Sequence, residues 1–227
     1  MRTLGLDPSL TGFGWCVHDS SQTGAARVVA RGRLVTTPKD IFLLRYMAVR
    51  KAIEDILYRH PAVRAVGVES PPFGEQWSAG LYGLFLYVNE AIFNHRKDVV
   101  YFDPGSLKML AKGDPSIRKG TMFKSDMVDA ARADTGIKGK FNHNEADAYH
   151  VARFTARFWA FVDGEIQESD LTPAEYRAFA RVYTPQRGVN AGKSLKMGAV
   201  FKEGQRYFKF SKVGPADLDA IAKKVDT

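Results

Sequence analysis

The sequence predicts an α/β fold: a mixed five-stranded sheet with helices on both faces, followed by a small basic C-terminal appendage. Three observations predict it. Short apolar runs bounded by turn residues fall at 3–6, 15–18 and 27–35, which reads as an antiparallel meander. Two further apolar runs, 65–68 and 99–102, alternate with stretches of helical periodicity, the pattern of a sheet with helices packed on it. After about residue 164 the composition shifts, and basic residues interleave with aromatics.

Each element has a local reason. The run 3–6 stops at Asp7-Pro8, so it reads as a buried strand ended by a turn. Thr11-Gly12-Phe13-Gly14 is a glycine-bearing reversal. In 39–59, Val49, Ile53, Ile56 and Leu57 share one helical face, and Pro61 ends the helix. The run 65–68 is closed by Glu69-Ser70-Pro71-Pro72. Leu81, Leu84, Phe85, Val88 and Ile92 mark a second helix. Asp103-Pro104-Gly105 stops the strand at 99–102, 112–121 reads as a loop, and 124–133 as a short helix. The helix 143–160 opens on Asn142, with Glu145 in capping-box position. Asp147, Val151, Phe154 and Phe158 lie on its inward face.

At 227 residues the chain suits one domain, 1–163, plus a small appendage, 164–227. In the appendage Thr172 caps a helix start at Pro173. A hairpin is expected around Glu203-Gly204-Gln205, and a terminal helix over 215–225. Between Arg187 and Lys212 there are seven Lys or Arg and one acid, interleaved with Phe201, Tyr207, Phe208 and Phe210. The net charge of +8 favours polyanionic partners, because neutralising phosphates releases counterions. The single cysteine, Cys16, excludes an intramolecular disulfide and fits a reducing, cytoplasmic setting. Asp7 interrupts the only early apolar run, and no run reaches the roughly 20 residues that span a bilayer. No membrane partner is expected.

Three carboxylates carry the chemistry. Asp7 follows one buried strand, Glu69 ends another, and Asp147 sits on the inward face of a helix start. Singly, each has a bland reading: turn residue, solvated strand end, acid at a helix N-terminus. Together they place three charges where an unpaired carboxylate is costly. A shared divalent cation resolves that cost. Oxygen-only ligands point to Mg²⁺, with Mn²⁺ as substitute, and two such ions suit phosphodiester hydrolysis.

Gly5-Leu6-Asp7-Pro8-Ser9-Leu10-Thr11-Gly12-Phe13-Gly14 resembles the opening motif of the RuvC-type Holliday junction resolvases. Val66-Gly67-Val68-Glu69 resembles their second acidic strand. Asn144-Glu145-Ala146-Asp147-Ala148 resembles their final acidic helix, and Lys124-Ser125-Asp126-Met127-Val128 a lysine-bearing helix. The resemblance spans roughly 1–161. It implies an RNase H-like fold, a homodimer, and Mg²⁺-dependent paired nicking of four-way DNA junctions by a crossover junction endonuclease. It also implies that Asp7 bridges the metals while Glu69 and Asp147 each complete a site. The family has an acid or His three residues before the last Asp. Here Asn144 stands there, so the fourth ligand lies among Asn144, His143 and Glu145, with Glu145 assigned to capping.

For DNA contact the candidates are Phe73, as a base-stacking aromatic near Trp77, and Lys112, Arg118, Lys119 and Lys124 on phosphates. The helix carrying Tyr82 and Tyr87 is expected to form an isologous dimer. Competing readings keep the metal site but act on flaps, branched DNA or RNA–DNA hybrids. Others make the chain an actin-like phosphotransferase or a non-catalytic DNA-binding module. A phage origin suits the compact layout.

Overall fold

The computed structural model describes residues 1–70, 79–116, 123–139 and 141–180, with the backbone of 182–183, 195–196, 200–202 and 205–207. The expected meander is present: β1 (Arg2–Asp7), β2 (Phe13–Asp19) and β3 (Val28–Leu34) pair antiparallel in sequence order. Helix α1 (Phe42–Arg59) then crosses to β4 (Val63–Glu69), and α2 (Ala79–Asn94) to β5 (Asp98–Phe102). β1, β4 and β5 run parallel, giving a mixed sheet in the order β3-β2-β1-β4-β5. Val49, Ile53, Ile56 and Leu57 of α1 are all buried, as their spacing predicts. The helix begins at Phe42, three residues later than periodicity suggests, because Asp40 turns back onto the Thr37 carbonyl.

One expectation fails. Asp103-Pro104-Gly105 does not merely stop a strand; it starts α3 (Pro104–Lys112). The Asp103 carboxylate accepts the Ser106 amide at 2.9 Å, Pro104 occupies the first turn, and Gly113 at φ 71° closes the end. The helix runs through Lys112, where the sequence places the start of a loop. α4 (Lys124–Thr135) and α5 (His143–Val162) follow, and α5 opens with the expected capping box between Asn142 and Glu145.

Helices cover both faces. α1 and α2 pack on one, with Leu4, Leu6, Val66 and Val68 beneath them. α3 and α5 pack on the other over Ala65, Val100 and Phe102, and α4 joins α5 around Tyr149. The approach of α5 is unusually close because glycines line its path. A methyl on Gly14 would strike the main chain at Asn144, one on Gly5 the Ala148 carbonyl, and one on Gly67 the Thr155 hydroxyl. Asn144, Ala148, Val151 and Thr155 form one stripe of α5, laid across β2, β1 and β4. Thr3 adds a 2.8 Å bond to the Ala152 carbonyl.

Beyond residue 164 the chain folds back on this face. Thr172 caps α6 (Pro173–Glu175), which continues as π-type turns over Tyr176–Ala180. Ala174, Ala178 and Phe179 join Phe158 and Trp159 in the second core cluster. The strands β6 (Val182–Tyr183) and β7 (Leu195–Lys196) pair with each other. The hairpin of β8 (Val200–Lys202) and β9 (Gln205–Tyr207) forms at the expected place and pairs antiparallel with β5.

Candidate active site

The strand order reverses between β1 and β4, where open α/β sheets leave a crevice beyond the carboxyl ends of their strands. Asp7 and Glu69 are the last residues of these two strands. The register pairs Leu6 with Val68, so the two acids stand at neighbouring strand ends. The third acid comes from α5. Asn144 sits over Gly12 and Gly14, and Ala148 over Gly5. Asp147 lies between those two contacts, over the same end of the sheet.

The three carboxylates feel one another. Burial pushes the Asp7 carboxyl up to about 7, aided by the charge of Asp147 and opposed by Lys124. Glu69 is raised well above the ordinary carboxylate range by burial, then by Asp7 and Asp147. Asp147 rises to about 6 through burial, while Lys124 and Lys108 pull it down. Raised carboxylates in a cleft mark negative charge with too little compensation. Among the described residues no three Asp, Glu, His or Cys side chains converge closely enough to grip one ion together. The acids are near enough to repel, without forming a closed cage. As a donor set they fit a hard divalent cation, which would offset the burial that raises all three and the repulsion that adds to it at Asp7 and Glu69.

The residues in question for the fourth position have different surroundings. Asn144 is buried, and its side-chain amide donates to the Gly12 carbonyl at 2.5 Å. Glu145 accepts the Asn142 amide at 3.3 Å and pairs with Arg31, so its carboxylate caps the helix as the sequence suggests. His143 is lowered below the ordinary histidine range by burial, then by Lys124 and Arg33, and is therefore neutral near pH 7.

Of the expected DNA contacts, Lys124 is the first residue of α4, exposed, and acts on both Asp7 and Asp147. Lys112 is exposed at the end of α3. Phe73, Arg118 and Lys119 lie outside the described residues, as does Trp77. Sequence reasoning missed Lys108, whose charge opposes the raised pKa of both Glu69 and Asp147. It lies on α3, whose Asp103-Pro104 cap reads in the sequence as a strand stop.

Solved structures share this fold. Thermus thermophilus RuvC matches at 24% identity with a TM-score of 0.58, over 70% of this chain and 97% of that one. The chain has a RuvC-type fold. The same T. thermophilus protein in complex with a Holliday junction substrate matches at 22% identity and a TM-score of 0.56, over 69% and 96% of the two chains. A fowlpox virus resolvase bound to Holliday junction DNA matches at 10% identity and 0.45, too distant to bear on this chain. No protein-family model and no curated protein matches the sequence.

Proposed function

We propose that this chain is a metal-dependent, structure-selective endonuclease that resolves four-way DNA junctions by paired phosphodiester hydrolysis. One observation carries the reading: three carboxylates, raised by burial, stand together at the switch point of a RuvC-type sheet, and among the described residues it is lysines that oppose their raised pKa values. Mg²⁺, or Mn²⁺ in its place, supplies Lewis acidity and an activated water when bound. Asp7, Glu69 and Asp147 would hold the ions. The side-chain oxygen of Asn144 and the neutral ring of His143 remain the candidates for a further ligand.

The chain's own contribution is charge and position. Lys108 and Lys124 flank the acids and would stabilise the negative charge that grows on the attacked phosphate. The net charge of +8 brings the polyanion to the cleft. Phe73, Lys112, Arg118 and Lys119 are proposed as further DNA contacts, and the basic C-terminal segment as an added phosphate-binding surface.

Paired cuts need two sites, hence a homodimer. Tyr82 and Leu86 on α2 are exposed beside Phe42, Leu43 and Met47 of α1, an apolar face suited to an isologous contact. Tyr87 is turned inward, its ring 5.4 Å from that of Tyr46, so Tyr82 rather than Tyr87 would meet the partner. No helix among the described residues is long and apolar enough to cross a membrane.

Substrate choice tests the proposal. A mobile four-way junction, a flap and an RNA–DNA hybrid are offered at equal salt with Mg²⁺. The junction should be cut fastest, with symmetric nicks. Faster cleavage of the hybrid would overturn the junction assignment and keep the metal site.

A further inference from the structure

The turn that follows Asp7 is held by side chains from both faces of the sheet. Residues 8–12 join β1 to β2. Asn144 of α5 donates to the Gly12 carbonyl at 2.5 Å. From the other face, Arg45 of α1 donates through Nη2 to the Leu10 carbonyl at 2.5 Å. The Thr36 hydroxyl donates to the same carbonyl, and Arg45 Nε donates to that hydroxyl at 3.1 Å.

Arg45 is an uncommon residue for this duty. It is only 6% exposed, and no carboxylate among the described residues lies within ion-pair distance of it. A guanidinium does not shed its proton, so burying one against a carbonyl and a hydroxyl is a standing cost. The Phe42 ring, 5.7 Å from its Cζ, offers partial compensation. An apolar residue would fill the place at lower cost, but it could not fix a main-chain carbonyl three residues from Asp7.

We infer that Arg45 is a positioning residue. With Asn144 it clamps the 8–12 turn at two carbonyls and thereby fixes where the Asp7 carboxylate points. The contact extends to α2, because Leu10 and Phe42 both pack against Gly80, its second residue. α2 begins ten residues after Glu69. One node thus orients the loop behind Asp7 and the helix that follows Glu69.

The test measures amide hydrogen exchange over residues 9–12 and Mn²⁺ affinity, in the full chain and in Arg45→Met and Arg45→Lys. Methionine keeps length and packing and removes the donors. The clamp requires exchange of the 9–12 amides to rise about tenfold in Arg45→Met while the β1 and β4 amides stay protected. Mn²⁺ affinity should fall about tenfold, the effect of losing a group that orients a ligand, with partial recovery in Arg45→Lys. Should Arg45→Met fail to fold, Thr36→Val removes the bridging hydroxyl and gives the same exchange readout. Unchanged exchange over 9–12 in a folded variant overturns the inference. The Mn²⁺ arm rests on the proposed metal site. If the wild type binds no Mn²⁺, that proposal fails, and the exchange arm still decides the clamp.

Discussion

The α-carbon of Gly5 lies against the carbonyl oxygen of Ala148, with no space between them for a methyl group. This contact sets the height of α5 above β1, one residue from Asp147 and two residues from Asp7. Gly5→Ala must lift the helix, because the obstacle is main chain and cannot rotate away. The expected cost is about 3 kcal/mol, the upper end for overpacking. Thermal or urea denaturation checks it, and an unchanged melting temperature would mean that α5 is not seated this closely.

Burial of the cleft carboxylates, with repulsion between them, makes a pH prediction with a definite sign. A carboxyl whose pKa rises on folding favours the folded state below its unfolded value, and that contribution is lost as pH climbs through the folded value. For Asp7 the window runs from 3.8 to about 7, and for Asp147 from 3.8 to about 6. The metal-free protein therefore loses stability from these groups as pH rises. Stabilisation by added Mg²⁺, read as the melting-temperature difference with and without the ion, should be near zero at pH 4 and largest at pH 8. Asp7→Asn should flatten that rise. His18 and His150 act oppositely: burial lowers both to about 4, so stability is lost as pH falls from 6.5 to about 4. Taking the difference with and without Mg²⁺ removes their contribution.

Lys108 and Lys124 should matter to rate more than to folding. Lys108 is partly exposed and Lys124 exposed, and each opposes the raised pKa of Asp147. Lys108→Met and Lys124→Met are each expected to slow cleavage about 10²-fold, the scale of removing one transition-state donor. Without its lysine, the cluster should also titrate at higher pH, moving the acidic limb of the rate profile upward. Wild-type rates in both variants would remove these lysines from the site.

The attachment of the C-terminal segment depends on Arg157 and Glu175, paired at 2.9 Å with the Glu175 side chain 9% exposed. Arg157 also donates to the Asp170 carbonyl at 2.6 Å. Arg157→Met leaves the carboxylate buried without its cation, a change that typically costs about 3 kcal/mol. Protease cleavage should then appear first near 165–180. A variant as resistant as the wild type would show that apolar packing of Phe179 suffices.

The five strands and the three acids were legible because their signals are local. Leu4 and Leu6 before Asp7-Pro8, and Val66 and Val68 before Glu69, say both where a strand lies and where it stops. Asn142 and Glu145 announced α5 in the same way. The bond from Asn144 to Gly12 is not legible, since the carbonyl that receives its amide is 132 residues away. The same distance hides the glycine path: Gly5 and Gly67 look like ordinary strand residues until α5 is laid over them. Lys108 was missed for a different reason. Its helix had a readable start, but Asp103-Pro104 serves equally well as the end of one element and the cap of the next.

The most direct measurement is Mg²⁺-dependent nicking of a four-way junction by the wild type, Asp7→Asn, Glu69→Gln and Asp147→Asn, with junction affinity measured alongside. The account predicts cleavage by the wild type alone, loss of at least about 10³-fold in each variant, and binding retained in all four. Equal cleavage by all four proteins would contradict the carboxylate site. Binding without cleavage by any of them would leave a junction-binding module that keeps the fold and not the chemistry.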